Sequence, residues 1–123
     1  MAQLFSLGDF ELMTLQRVRL QTKDIADESS FHQAFFEALS FPAFYGRNWD
    51  AWIDCMSYLD DASAGMSGYN VVPGELFHLE IADAEDFQRR VPQVFQAFIE
   101  CAAAVNRRRT DVGDPPLLSL IFL

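Results

Sequence analysis

Apolar residues recur along the chain with two different periods, and the switches between them predict its elements. In residues 15–21, Val18 and Leu20 alternate with Arg17, Arg19 and Gln21, the two-residue period of a strand. Further on the period lengthens. Phe31, Phe35 and Leu39 fall at i, i+4 and i+8, which places them on one buried stripe of a helix. Ser30 followed by Gln33 matches a capping box and predicts the start of that helix. Pro42 prevents its continuation. A second helix is predicted from Asn48, a good N-cap, to about Leu59. Residues 60–75 contain Gly65, Gly68, Pro73 and Gly74 and read as a loop. A strand follows at 76–82, then helical spacing from Asp83 towards Arg107, which Pro92 must kink or divide. Residues 117–123 are a continuous apolar run, too short for a helix and predicted as a central strand covered on both faces.

Strand, two helices, strand, one or two helices, strand is the order of a small α/β domain. It implies a three-stranded, mainly parallel sheet with helices packed around it in three layers. Residues 1–14 mix apolar positions with Gly8, Asp9 and Glu11. They read as an N-terminal extension, either a hairpin or an extra strand, ahead of a single domain at 15–123. A chain of 123 residues, half of them hydrophobic, can bury roughly 65–70% of its unfolded surface and needs neither metal nor disulfide to fold.

Charge narrows the function. Eighteen acids against nine bases give a net charge of -9, which repels nucleic acid and anionic membranes and favours basic partners. No Lys or Arg occurs from Asn48 to Gln88, whereas Asp50, Asp54, Asp60, Asp61, Glu75, Glu80, Asp83, Glu85 and Asp86 all do. That stretch is either a solubilising surface or a docking face for a cationic protein. Arg107, Arg108 and Arg109 sit where positive charge complements a helix C-terminus. Cys55 and Cys101 fit no metal or redox spacing and are expected to be reduced and buried. The chain starts without a signal-peptide pattern and lacks an apolar run long enough for a membrane span, so a cytoplasmic monomer without cofactors is expected.

The candidate chemistry lies in Phe44-Tyr45-Gly46-Arg47-Asn48-Trp49-Asp50-Ala51-Trp52-Ile53-Asp54-Cys55. Gly46 would let the backbone turn sharply before the cap. Asp50 falls in the first turn, where the helix dipole favours an anion. Asp50 and Asp54 are spaced i, i+4, so both carboxylates leave one helix face, an arrangement that costs a helix about 0.2–0.5 kcal/mol. Retaining both suggests that an external cation covers them. Trp49 and Trp52 lie three residues apart, so at least one is core, and Trp49 could be an exposed anchor.

The segment 39–55 resembles the signature of the barstar family, inhibitors of the ribonuclease barnase: a Pro, two aromatics, Gly, Asn, an apolar residue, Asp, Ala and later Asp-Cys. The likeness extends more loosely over 16–123. It implies three parallel strands surrounded by helices, and a second helix that enters a nuclease active site together with the loop before it. Asp50 and Asp54 match the two inhibitory aspartates, with Asp54 as the mimic of a substrate phosphate. Phe44 matches an interface tyrosine without its hydroxyl, and Tyr45, Gly46, Asn48 and Trp49 fall within the binding segment. Ile53 replaces an interface tryptophan, Leu59 another aromatic, and Ala97 an interface glutamate, with Glu100 one turn further on. The resemblance thus implies an intracellular immunity protein or antitoxin whose partner is a basic ribonuclease other than barnase.

Two other readings compete. Asp50 and Asp54 with His32 or His78 could act as acid–base groups, but an exposed helix face is not a cleft, and no nucleophile or phosphate loop accompanies them. His32 is better read as a surface or capping residue and His78 as a partly buried structural one. The second rival is a regulatory or scaffold protein that keeps the fold without inhibiting a nuclease.

Overall fold

The computed structural model describes residues 16–123, so the extension read at 1–14 lies outside the described residues. Three strands, β1 (Gln16–Leu20), β2 (Phe77–Ile81) and β3 (Leu118–Phe122), alternate with four helices: α1 (Glu28–Leu39), α2 (Trp49–Ser57), α3 (Ala84–Arg90) and α4 (Pro92–Asp111). Among the described residues every pairing is parallel, in the order β1-β2-β3. The middle strand is therefore β2. The expectation that 117–123 is central fails, because among the described residues β3 lies at the edge of the sheet.

Register shows why. Val18, Leu79 and Leu120 lie side by side, as do Leu20, Ile81 and Phe122, forming the apolar face of the sheet. The opposite face carries Arg17, His78 and Ser119, then Arg19, Glu80 and Ile121, and none of these side chains is buried. Arg19 and Glu80 are register partners joined at 3.1 Å. The apolar run at 117–123 spends its side chains otherwise: Leu117 and Leu118 enter the core, while Phe122 is exposed at the sheet edge beside Phe95. Asn106 of α4 protects the start of that edge. Its amide nitrogen donates to the Leu118 carbonyl at 3.0 Å, and its oxygen accepts from the backbone of Leu117 and Leu118 at 2.9 and 2.8 Å.

Helix α1 begins three residues earlier than its Ser30 signal predicts. Asp27 is the cap: its carboxylate accepts from the Ser30 backbone at 2.8 Å, and the Ser30 hydroxyl accepts from Asp27 N–H at 3.0 Å. The helix stops at Leu39, capped by Ser40 in the left-handed region, two residues before Pro42. Pro92 divides the 84–111 segment at Val91, opening α4 as its first residue. Phe31, Phe35, Trp52 and Phe98 meet between α1, α2 and α4 with ring centroids 4.8–6.4 Å apart, and all four are fully buried. Tilted and edge-on ring pairs of this kind add about 0.5–1.5 kcal/mol each beyond the area they bury.

Both cysteines are free, Cys55 buried and Cys101 half-buried. Burial, with Asp54 adding to it, pushes the Cys55 thiol up to about 11. Burial first, then the charges of Glu100, Asp50 and Glu28, also raises Cys101. Since the thiolate is the reactive form, native protein at pH 8 should be nearly inert to a thiol reagent and the denatured chain should release two thiols. A mass two units below that of the reduced chain would reveal a bridge instead.

Candidate functional site

The loop 41–48 leads directly into helix α2, and buried aromatic residues of both, Phe41, Tyr45 and Trp52, anchor them to the core. Phe41 and Tyr45 are buried with ring centroids 4.8 Å apart, whereas Phe44 between them is 75% exposed. Tyr45, expected at the binding surface, is thus a supporting residue. Its hydroxyl is hydrogen-bonded to Nδ1 of His32, which is itself fully buried against Trp49 and Phe31. The expectation of a surface or capping His32 is overturned, because the loop and Trp49 fold over its side of α1. Burial lowers its pKa, with Glu28 opposing and Arg47 adding to the shift.

That depression has a direction in pH. A histidine held neutral by folding stabilises the native state above its unfolded value of about 6.5 and loses that contribution as pH falls through the folded value. The unfolding free energy from urea titration should therefore fall between pH 7 and 5, by at most about 1.4 kcal/mol per pH unit for this one proton. His32→Gln should flatten the slope. Parallel curves for the two proteins would show that His32 does not charge on unfolding.

At the turn into α2 the left-handed residue is Arg47, with φ 55°, not Gly46. Gly46 is needed for space: a Cβ there would meet Asn48 Nδ2 at 3.3 Å and Ala51 Cβ at 3.4 Å. Asn48 caps α2 as expected, accepting from Ala51 N–H at 2.8 Å. Arg47 is drawn away from the acidic face. Its guanidinium lies 4.7 Å from the Phe36 ring centroid and donates to Gln33 at 2.6 Å.

On α2, Trp52 is fully buried, Trp49 and Ile53 are half-buried, and Asp50 and Asp54 are exposed. Trp49 donates its indole N–H to Glu28 of α1 at 2.7 Å. Among the described residues Asp50 has no cationic partner within ion-pair distance. Asp54 differs. Arg108 of α4 donates to it at 3.0 Å and to the Ser57 hydroxyl at 3.2 Å, with both charged side chains about half exposed. Folding thus returns to the 48–88 stretch the positive charge that its sequence lacks: Asp54, Asp60, Glu80 and Asp86 are all ion-paired. Arg108 and Arg109 link α4 to α2, beyond the role at a helix terminus expected of them.

Three residues at this surface are not singled out by the sequence pattern. Tyr58, 47% exposed, follows Asp50 and Asp54 at i+8 and i+4, so its spacing is a usable signal. Glu28 is hidden behind the Ser30 cap signal. Arg108 lies 54 positions from Asp54 and leaves no local trace. Among the described residues no group of three His, Cys, Asp or Glu side chains gathers as a metal site needs, and no helix is long and apolar enough to cross a membrane. What the arrangement can do is present anions and an exposed aromatic to a cationic surface.

No curated protein sequence matches the chain. Residues 15–120, however, match the family model described as Barstar (barnase inhibitor), whose members are inhibitors rather than enzymes. The chain, with its three parallel strands and the loop and acidic helix set against α4, belongs to the barstar family.

Proposed function

We propose that this chain is an intracellular inhibitor, of the immunity or antitoxin type, that blocks the active site of a basic ribonuclease with α2 and the loop before it. Asp54, supported by Asp50, occupies the phosphate subsite of the nuclease. Phe44, Trp49 and Ile53 supply apolar contact, while Gly46 and Asn48 hold the turn in place and Tyr45 supports it from the core. The observation that carries the reading is the exposure of Asp50, Asp54 and Tyr58 at i, i+4 and i+8, with an exposed Phe44 in the loop before them, in a barstar-family chain. Charge-assisted hydrogen bonds from Arg or Lys to such carboxylates are roughly twice as strong as neutral ones.

One observation favours the rival reading, a regulatory or scaffold protein of the same fold: Arg108 already occupies one oxygen of Asp54. Inhibition assays separate the two. The purified chain is mixed with the ribonuclease encoded beside its own gene, with barnase as a second target, and RNA cleavage is followed. Inhibition is expected, with an association rate that falls steeply as salt rises and a dissociation rate that changes little. Full nuclease activity in the presence of excess chain would transfer the assignment to the regulatory reading.

A further inference from the structure

Next to the α2 surface lies a cleft of about 450 Å³, bounded by the start of α1, the first residue of α2 and the α3–α4 junction. Val91, Pro92, Val94 and the Trp49 ring give it an apolar lining, and the exposed residues Asp27 and Glu28 add two carboxylates. Resting on the inhibitory reading above, we propose that this cleft receives a long basic side chain of the partner protein, best an arginine. The alkyl stem lies along Val91, Pro92 and Val94, and the cationic head sits between the Trp49 ring and the carboxylates of Glu28 and Asp27.

The chemistry of the lining selects this occupant. An indole is the strongest aromatic platform for a cation, and this one is fixed in place by its hydrogen bond to Glu28 Oε1, which leaves the second carboxylate oxygen of Glu28 open. Asp27 is held ionised by the Ser30 hydroxyl and backbone N–H, both of which use its Oδ1. Among the described residues the one cation lining the cleft is Arg90, and each of its three nitrogens already has an acceptor. Nε binds Asp86 at 2.7 Å, while Nη1 and Nη2 bind the carbonyls of Ile25 and Thr22 at 2.9 Å each. A purely apolar side chain would desolvate two carboxylates without compensation, and an anion would be repelled; an arginine satisfies both parts of the lining. The cleft also adjoins the proposed interface, since Trp49, which lines it, is the first residue of α2 and immediately precedes Asp50.

The test needs no partner. The isotope-labelled full chain is titrated with N-acetyl-arginine methylamide, and with the citrulline analogue as an uncharged control, while the two indole N–H signals are followed by NMR. The Trp49 signal should shift with a millimolar dissociation constant, and the buried Trp52 signal should stay in place. Binding should weaken about three- to fivefold for citrulline and for Glu28→Gln, which keeps an acceptor for Trp49. An immobile Trp49 signal, or equal shifts from the two compounds, would overturn the subsite. If Asp54→Ala still abolished nuclease inhibition in that case, the inhibitory reading would stand without it. A Trp49 shift in a chain that inhibits no nuclease would reject the inhibitory reading while leaving a cation-binding cleft.

Discussion

Asp54→Ala should weaken binding to the cognate ribonuclease by about 2–5 kcal/mol, a general range for a truncated buried charge pair that the barnase–barstar complex itself helped to set. Most of that loss comes from the nuclease, whose Arg and Lys side chains are left buried without a counter-ion. Asp50→Ala should act in the same direction, and because no cation among the described residues pairs with Asp50, its whole charge is offered to the partner. Arg108→Gln should do the opposite. It frees the Asp54 oxygen now held at 3.0 Å, and because the pair is half exposed the gain is limited to about 1 kcal/mol. In an Asp54→Ala background Arg108→Gln should have no further effect, which distinguishes release of Asp54 from a change in net charge. Glu85→Gln on α3 removes the same unit of charge elsewhere and should leave binding almost unchanged. Equal, small losses for Asp54→Ala and Glu85→Gln would mean that only overall acidity matters.

The contrast between Asp50 and Asp54 shows what a linear sequence conveys and what it hides. Short-range periodicity is legible: the alternation of Val18 and Leu20, the Phe31–Phe35–Leu39 stripe, the Asn48 cap and the break at Pro92 all depend on neighbours within a turn or two, and the structure holds each of them. Capping is legible only in part, because Asp27 and Ser30 form a capping box in which Ser30 is the fourth member instead of the first. The place of β3 is not legible. A continuous apolar run reads as covered on both faces, yet Asn106, a single polar side chain on another element, suffices to close one end of an exposed edge. Charge is the least legible property. Counting Lys and Arg along 48–88 describes that segment correctly but misses Arg108 and Arg109, which fold onto it from α4. The burial of His32 is hidden for the same reason, since the residues that cover it come from the loop and from α2.

Asp60→Ala should be among the most destabilising single substitutions in the domain, although Asp60 lies outside the proposed interface. Arg109 grips both oxygens of Asp60 with its two terminal nitrogens and also donates to the Ser57 carbonyl at 3.3 Å. The two side chains are only 15% and 12% exposed, against about half for Arg108 and Asp54. That difference in burial decides the outcome. Removing one member of an exposed pair costs at most about 1 kcal/mol, whereas removing Asp60 strands a guanidinium away from water with one carbonyl for company, a loss of about 3–5 kcal/mol. Against a typical domain stability of about 5–15 kcal/mol, the melting temperature should drop by roughly 10–20 °C. The double substitution Asp60→Leu with Arg109→Met removes both charges and should recover most of the loss, because buried ion pairs replaced by apolar side chains are often neutral. Binding gives a second readout. Asp60 follows the end of α2 and ties it to α4, so at a temperature where Asp60→Ala is still folded, its affinity for the nuclease should fall far less than that of Asp54→Ala. A melting temperature within a few degrees of wild type would mean that water reaches Arg109 and screens the pair, and that the join between α2 and α4 rests on apolar packing such as the Trp52–Phe98 contact.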